Sequence, residues 1–67
     1  MTIHNSIKEY RTTENMTQED LAASVGVSRQ TIIAMEKGNY TPSLMLALQL
    51  AQVFKVKVED LFNLGSR

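Results

Sequence analysis

Residues 17–37 read TQEDLAASVGVSRQTIIAMEK, and this stretch decides the fold. Thr17 is a good N-cap, and Asp20 stands three residues on, close to capping-box spacing although Asp is shorter than the usual Glu. Leu21, Ala22 and Val25 recur at i, i+1 and i+4, which predicts the inward face of a helix from Gln18 to Val25. Gly26 ends that helix, because it takes the left-handed conformation without a Cβ penalty. Val27 is apolar, as a turn packed on a core requires. Ser28 caps a second helix from Arg29 to Lys37, and Gly38 stops it. Ile32 and Met35 face inward. Arg29, Gln30, Ile33, Ala34 and Lys37 fall at i, i+1, i+4, i+5 and i+8, so they share the outward face. The small Ala22 lets the second helix cross close to the first. Two short helices joined by a tight turn thus leave one face free to enter a groove.

Outward from this unit, Asn15, Gly38-Asn39, Thr41-Pro42 and Gly65 cut the chain into pieces of about ten residues, a length that suits short helices. Upstream, Ser6 to Glu14 carries Ile7, Tyr10 and Arg11 on one stripe. Asn5 or Ser6 can cap it, and Asn15 can supply a left-handed terminus. Downstream, Thr41 as cap and Pro42 as first helical residue predict a helix running to Phe54. It is apolar nearly all round, with one stripe of Leu44, Ala47, Leu48 and Ala51 and another of Leu46, Leu50 and Val53, so burial on more than one side is expected. A short last helix spans Val58 to Leu61 or Phe62, with Glu59 and Asp60 suited to its dipole. Thr2-Ile3-His4 and Phe62-Asn63-Leu64 each alternate; they either pair as a small sheet or are tails. His4 reads as an exposed strand or tail residue, Met16 and Met35 as core packing, and Met45 as near solvent. The expectation is an all-α chain, one domain over 1–67, with the helix-turn-helix proper at 17–37.

Composition narrows the function. The chain has 67 residues, with seven Lys and Arg against seven Asp and Glu, a formal net charge of zero. Stability of about 3–10 kcal/mol is all that a chain of this size supports. Without cysteine there is no disulfide and no thiolate metal site, and a single His leaves metal clusters and Ser/His/Asp chemistry short of parts. No nucleophile has a base beside it and no Gly-rich loop cradles a phosphate. The expectation is no enzyme, no metal and no cofactor. The longest apolar run, Leu44 to Leu48, is too short to span a bilayer, and the N-terminus lacks the regions of a signal peptide, so a cytoplasmic protein without membrane attachment is expected. Zero net charge gives no global signal for nucleic acid; that case rests on where the charges sit.

Ile7 to Arg11, Thr17 to Ala22, Gly26 to Ile32, Glu36-Lys37-Gly38, Tyr40 to Leu44, Leu50-Ala51 and Val56 to Phe62 together resemble the Cro/repressor helix-turn-helix family, the xenobiotic-response-element type, in a minimal stand-alone form. The resemblance covers most of the chain. It implies a five-helix lambda-repressor-like domain that binds double-stranded DNA and regulates transcription, with small members of this kind adding terminal strands and working as dimers. It implies a phosphate contact at Gln18, where a helix N-terminus presents unpaired N–H groups. It places Ser28, Arg29, Gln30, Ile33 and Ala34 at base-reading or groove-facing positions. Arg29 suits a fork on guanine or a plain phosphate contact, Gln30 suits adenine, and Ile33 suits thymine methyls; Ala34 reads best as a spacer. Thr31 and Lys37 flank this face within reach of the backbone. Asn39, Tyr40, Thr41 and Ser43 form the loop used for phosphate contacts through side chains and main-chain N–H groups, although Tyr40 reads equally well as loop packing. Glu36, turned away from the groove, pairs with Arg11 in a structural role.

The function expected is therefore a transcriptional regulator, a repressor, acting as a homodimer on a pseudo-palindromic operator. Apolar residues exceed the needs of one small core, and the dimer contact is expected from Val53, Leu61, Phe62 and Leu64. No small-molecule ligand is evident. An antitoxin-like protein-interaction module of the same fold is the alternative. It calls for a tail beyond the last element, where only Gly65-Ser66-Arg67 stand. With Arg29 and Lys37 on the groove face and Glu19 and Asp20 beside it, the field is weak. Neutral donors are expected to carry much of the phosphate grip, with a shallow dependence on salt.

Overall fold

A computed structural model describes residues 2–65. The order is β1 (Thr2–Asn5), α1 (Ile7–Thr13), α2 (Gln18–Val25), α3 (Arg29–Glu36), α4 (Leu44–Phe54), α5 (Val58–Leu61) and β2 (Phe62–Gly65). Each helix sends at least one fully buried side chain to a shared core: Ile7, Leu21, Ile32 with Met35, Leu50 and Leu61. Tyr10, Met16, Val27 and Val53 pack at its edge. Burial of each large apolar side chain contributes about 1.5–3 kcal/mol, so this shared centre holds the five helices together.

The local signals act where the sequence puts them. Asn15 has a positive φ and closes α1. Asn5, not Ser6, supports the start of α1: its Oδ1 accepts from the Ile7 N–H at 3.1 Å, while the Ser6 hydroxyl makes no cap bond. The terminal stretches do pair, as an antiparallel two-stranded ribbon with Ile3 opposite Leu64 and Asn5 opposite Phe62. A Cβ at Gly65 would meet the His4 ring as it lies across the ribbon, so a larger residue there would have to turn that exposed side chain aside.

Two expectations about α4 need correction. The helix begins at Leu44 rather than Pro42, and Ser43 is its cap, accepting from the Leu46 N–H at 3.1 Å. Ser43 competes with Thr41 as the cap, and its side-chain oxygen takes the Leu46 N–H, so the helix starts at the later position. The inward face is Leu46, Ala47, Leu50, Ala51 and Phe54, while Leu44 and Leu48 are 73% and 49% exposed. Among the described residues no element covers this second side of α4. The helix ends at Lys55, which takes a left-handed conformation (φ 58°) more common for Gly or Asn.

Candidate nucleic-acid interface

The geometry of the interface follows from how α2 and α3 are capped. The Thr17 hydroxyl accepts from the Asp20 N–H at 2.9 Å, and the Asp20 carboxylate accepts from the Thr17 N–H at 3.0 Å. Hydrogen bonds donated to the carboxylate by Thr17, from its main-chain N–H first and its side chain second, hold the Asp20 carboxyl below its ordinary value. Gly26 takes a left-handed conformation (φ 72°) and Val27 donates back to the Ala22 carbonyl at 3.0 Å. The chain then enters α3 at once. The Ser28 oxygen accepts from the Thr31 N–H at 3.3 Å and lies 3.1 Å from the Thr31 hydroxyl. Ser28 and Thr31 thus share one small network at the start of α3.

Helix α3 ends at Glu36, one residue earlier than expected, with Lys37 as its C-cap. Along α3 and this cap, Arg29, Gln30 and Lys37 are exposed, and Ile33 and Ala34 are half-buried. Helical spacing gathers these five on one side. In the following loop, Asn39 donates its main-chain N–H to the Ala34 carbonyl at 2.8 Å. That N–H is therefore committed to ending α3, and Asn39 retains only its side chain for a phosphate. The N–H groups of Tyr40 and Thr41 have no partner among the described residues. Tyr40, Thr41 and Ser43 are exposed, with the Ser43 hydroxyl capping α4.

Beneath this surface lies a buried polar junction of α1, α2 and α3. Arg11 Nε meets Glu36 Oε2 at 2.7 Å, with side chains 11% and 6% exposed. Arg11 also donates to Glu36 Oε1 at 3.2 Å and to the Met16 carbonyl at 2.8 Å. Gln18 Nε2 donates to the same Glu36 Oε1 at 3.1 Å. No spacing in the sequence signals this last bond, nor the one from Asn5 Nδ2 to the Met35 carbonyl at 2.9 Å that ties β1 to α3. Both join residues far apart in the chain.

Of the residues expected at a dimer contact, Leu61 is wrong. It is fully buried inside its own subunit and has no surface to offer. Val53 and Phe62 are half-buried, and Leu64 is 68% exposed. The larger apolar surface lies on α4 and the ribbon, where Ile3, Leu44, Met45, Leu48 and Leu64 are exposed. It includes an uncharged groove of about 270 Å³ lined by Ile3, Thr41, Pro42, Leu44, Ala47, Val58 and Phe62. Among the described residues no group of three or more acidic or His side chains is placed to hold a metal ion, and no helix is long and apolar enough to cross a membrane.

The chain belongs to the helix-turn-helix family of Cro/C1-type transcriptional regulators, and the family match covers residues 7–61. It is 62% identical over 58 residues to an uncharacterized HTH-type transcriptional regulator of Methanocaldococcus jannaschii, covering 87% of this chain and 88% of that one. It is 32% identical over 59 residues to RstR, the cryptic phage CTXphi transcriptional repressor of Vibrio cholerae, covering 88% of this chain but about half of RstR. Among solved structures it is similar to the restriction-modification controller protein C.AhdI from Aeromonas hydrophila, with a TM-score of 0.75 and 30% identity over 81% of this chain and 82% of that one. The protein is accordingly a DNA-binding transcriptional regulator.

Proposed function

We propose that the protein is a repressor that binds a pseudo-palindromic operator as a homodimer, with α3 of each subunit in the major groove. One observation carries the reading. A helix capped by Ser28 presents Arg29 and Gln30, both exposed, at its first turn, the part of a recognition helix that meets base edges. Arg29 reads guanine, Gln30 reads adenine, and Ile33 meets a thymine methyl beside Ala34. Ser28 sets the entry of the helix while remaining on the groove side. Gln18, Thr31, Lys37, the side chains of Asn39, Tyr40, Thr41 and Ser43, and the free N–H groups of Tyr40 and Thr41 hold the phosphates. The sign of regulation leans on the likeness to RstR, which is named a repressor.

A single module reads few bases, so two copies on half-sites about 34–36 Å apart give the specificity a regulator needs. The contact between copies uses Leu64, Phe62 and Val53 together with the exposed apolar surface of Ile3, Leu44 and Leu48. Selection of bound sequences from a random duplex pool tests the base assignments. Wild-type protein is expected to return a two-fold symmetric motif, and Arg29→Ala and Gln30→Ala each to lose one position of it. Unchanged motifs in both variants reject those roles. Sedimentation at micromolar protein tests the assembly; a clean monomer that stays single on DNA rejects the dimer.

A further inference from the structure

We propose that Glu36 is a positioning residue for DNA binding: through its hydrogen bond to Gln18 it aims that amide at the phosphate backbone. The inference rests on the phosphate role of Gln18 proposed above. Gln18 is the first residue of α2, where a free glutamine side chain would sample many rotamers in water. Here it is half-buried, and one N–H of its amide is fixed on Glu36 Oε1 at 3.1 Å. A glutamine amide has two N–H donors, so one remains for a phosphate oxygen. The Gln18 side chain has no other hydrogen-bond partner among the described residues.

The junction explains how a carboxylate can sit there. A bare Glu36 close to the DNA face would repel phosphate. Arg11 meets it through Nε at 2.7 Å and Nη2 at 3.2 Å, so the pair carries no net charge. The Met16 carbonyl takes Arg11 Nη1 at 2.8 Å, which fixes the guanidinium and, through it, the carboxylate. No buried side-chain polar atom among the described residues lacks a partner. Three helices therefore hold one amide in one orientation, and a side chain ordered in advance loses less freedom when DNA arrives.

A cycle of variants tests this on a random-sequence duplex of about 20 base pairs, two helical turns, at low salt. Phosphate contacts do not depend on sequence, so no operator is needed. Affinity is measured by fluorescence anisotropy at a temperature where circular dichroism shows every variant folded. Gln18→Ala in the wild-type background is expected to weaken binding on the order of 3- to 10-fold, the scale of one hydrogen bond. The double variant Arg11→Met with Glu36→Leu replaces the ion pair with apolar side chains, an exchange that buried pairs often tolerate. In that background Gln18→Ala is expected to change affinity little, because the amide is already untethered. Glu36→Gln keeps the shape with a weaker, neutral acceptor and is expected to fall between; it carries the test alone if the apolar pair does not fold.

An equal loss from Gln18→Ala in both backgrounds, which a purely structural Glu36 would give, overturns the positioning role and leaves the phosphate contact standing. No loss in the wild-type background removes the phosphate contact and the positioning role with it.

Discussion

Helices α3 and α4 lie next to each other in the chain yet turn opposite surfaces to solvent. The exposed side of α3 and its C-cap carries Arg29, Gln30 and Lys37, and that of α4 carries Leu44, Met45 and Leu48. Both bury a regular inner face. The difference lies in what remains outside. A polar, donor-bearing surface suits a hydrated, charged polymer. An uncharged apolar surface suits a partner that removes it from water. Under the proposed function, DNA contact falls to one of these consecutive helices and self-association to the other, and substitutions on each should disturb one property and spare the other.

The sharpest contrast lies within α4. Leu50→Ala removes a fully buried side chain and is expected to cost about 2–5 kcal/mol of stability. Leu48→Ala is expected to stay within about 0.5 kcal/mol for the isolated subunit, while weakening association. Denaturant titration at low concentration, paired with sedimentation, reads both; equal losses of stability would erase the distinction between the two faces.

Next comes the junction. Glu36→Gln leaves Arg11 short of its charge partner and is expected to destabilise by about 3 kcal/mol, a fall in melting temperature on the order of 10 °C or more. Operator preference should not move. A changed preference at an unchanged melting temperature would place Glu36 among the base readers. On α3 the effect falls on binding instead: Arg29→Ala is expected to lose on the order of 1–3 kcal/mol at one operator position with melting unchanged.

A modest loss of stability is expected at the cap of α2. Thr17→Ala should cost about 1 kcal/mol. Asp20 adds a pH signature. Its folded carboxyl titrates below the ordinary aspartate value, so its contribution is complete above that value and is lost as pH falls through the folded one. Acid melting curves of Asp20→Asn should flatten in that window. A curve identical to wild type would show that the cap carries no linkage.

What was legible in the sequence was local. Thr17, Asp20, Gly26 and Ser28 act within four residues of where they stand, and each cap and turn forms as their chemistry requires. The Arg11–Glu36 pair was legible only through family resemblance, because nothing in the intervening residues aligns its ends. Helix α4 departs from its sequence expectation for a physical reason. Apolarity all round marks a helix that avoids water but not which side its own chain can cover. Leu44 and Leu48 are left outside and Leu61 is taken in. Pro42 signals a helix start two residues before the one at Leu44, because Ser43 rather than Thr41 supplies the cap. The bond from Gln18 to Glu36 was illegible, since each residue has a sufficient reason to be polar without the other.

The ribbon gives the molecule a second character. It lays Thr2 against Gly65, so the chain closes on itself like a clasp. The turns and caps that shape the helices are made between near neighbours and form quickly. The clasp instead waits for two distant segments to meet, at the entropy of closing nearly the whole chain as a loop. Folding should therefore finish at the ends rather than begin there. In hydrogen exchange the Thr2–Asn5 and Phe62–Gly65 amides would open first while the helices stay shut.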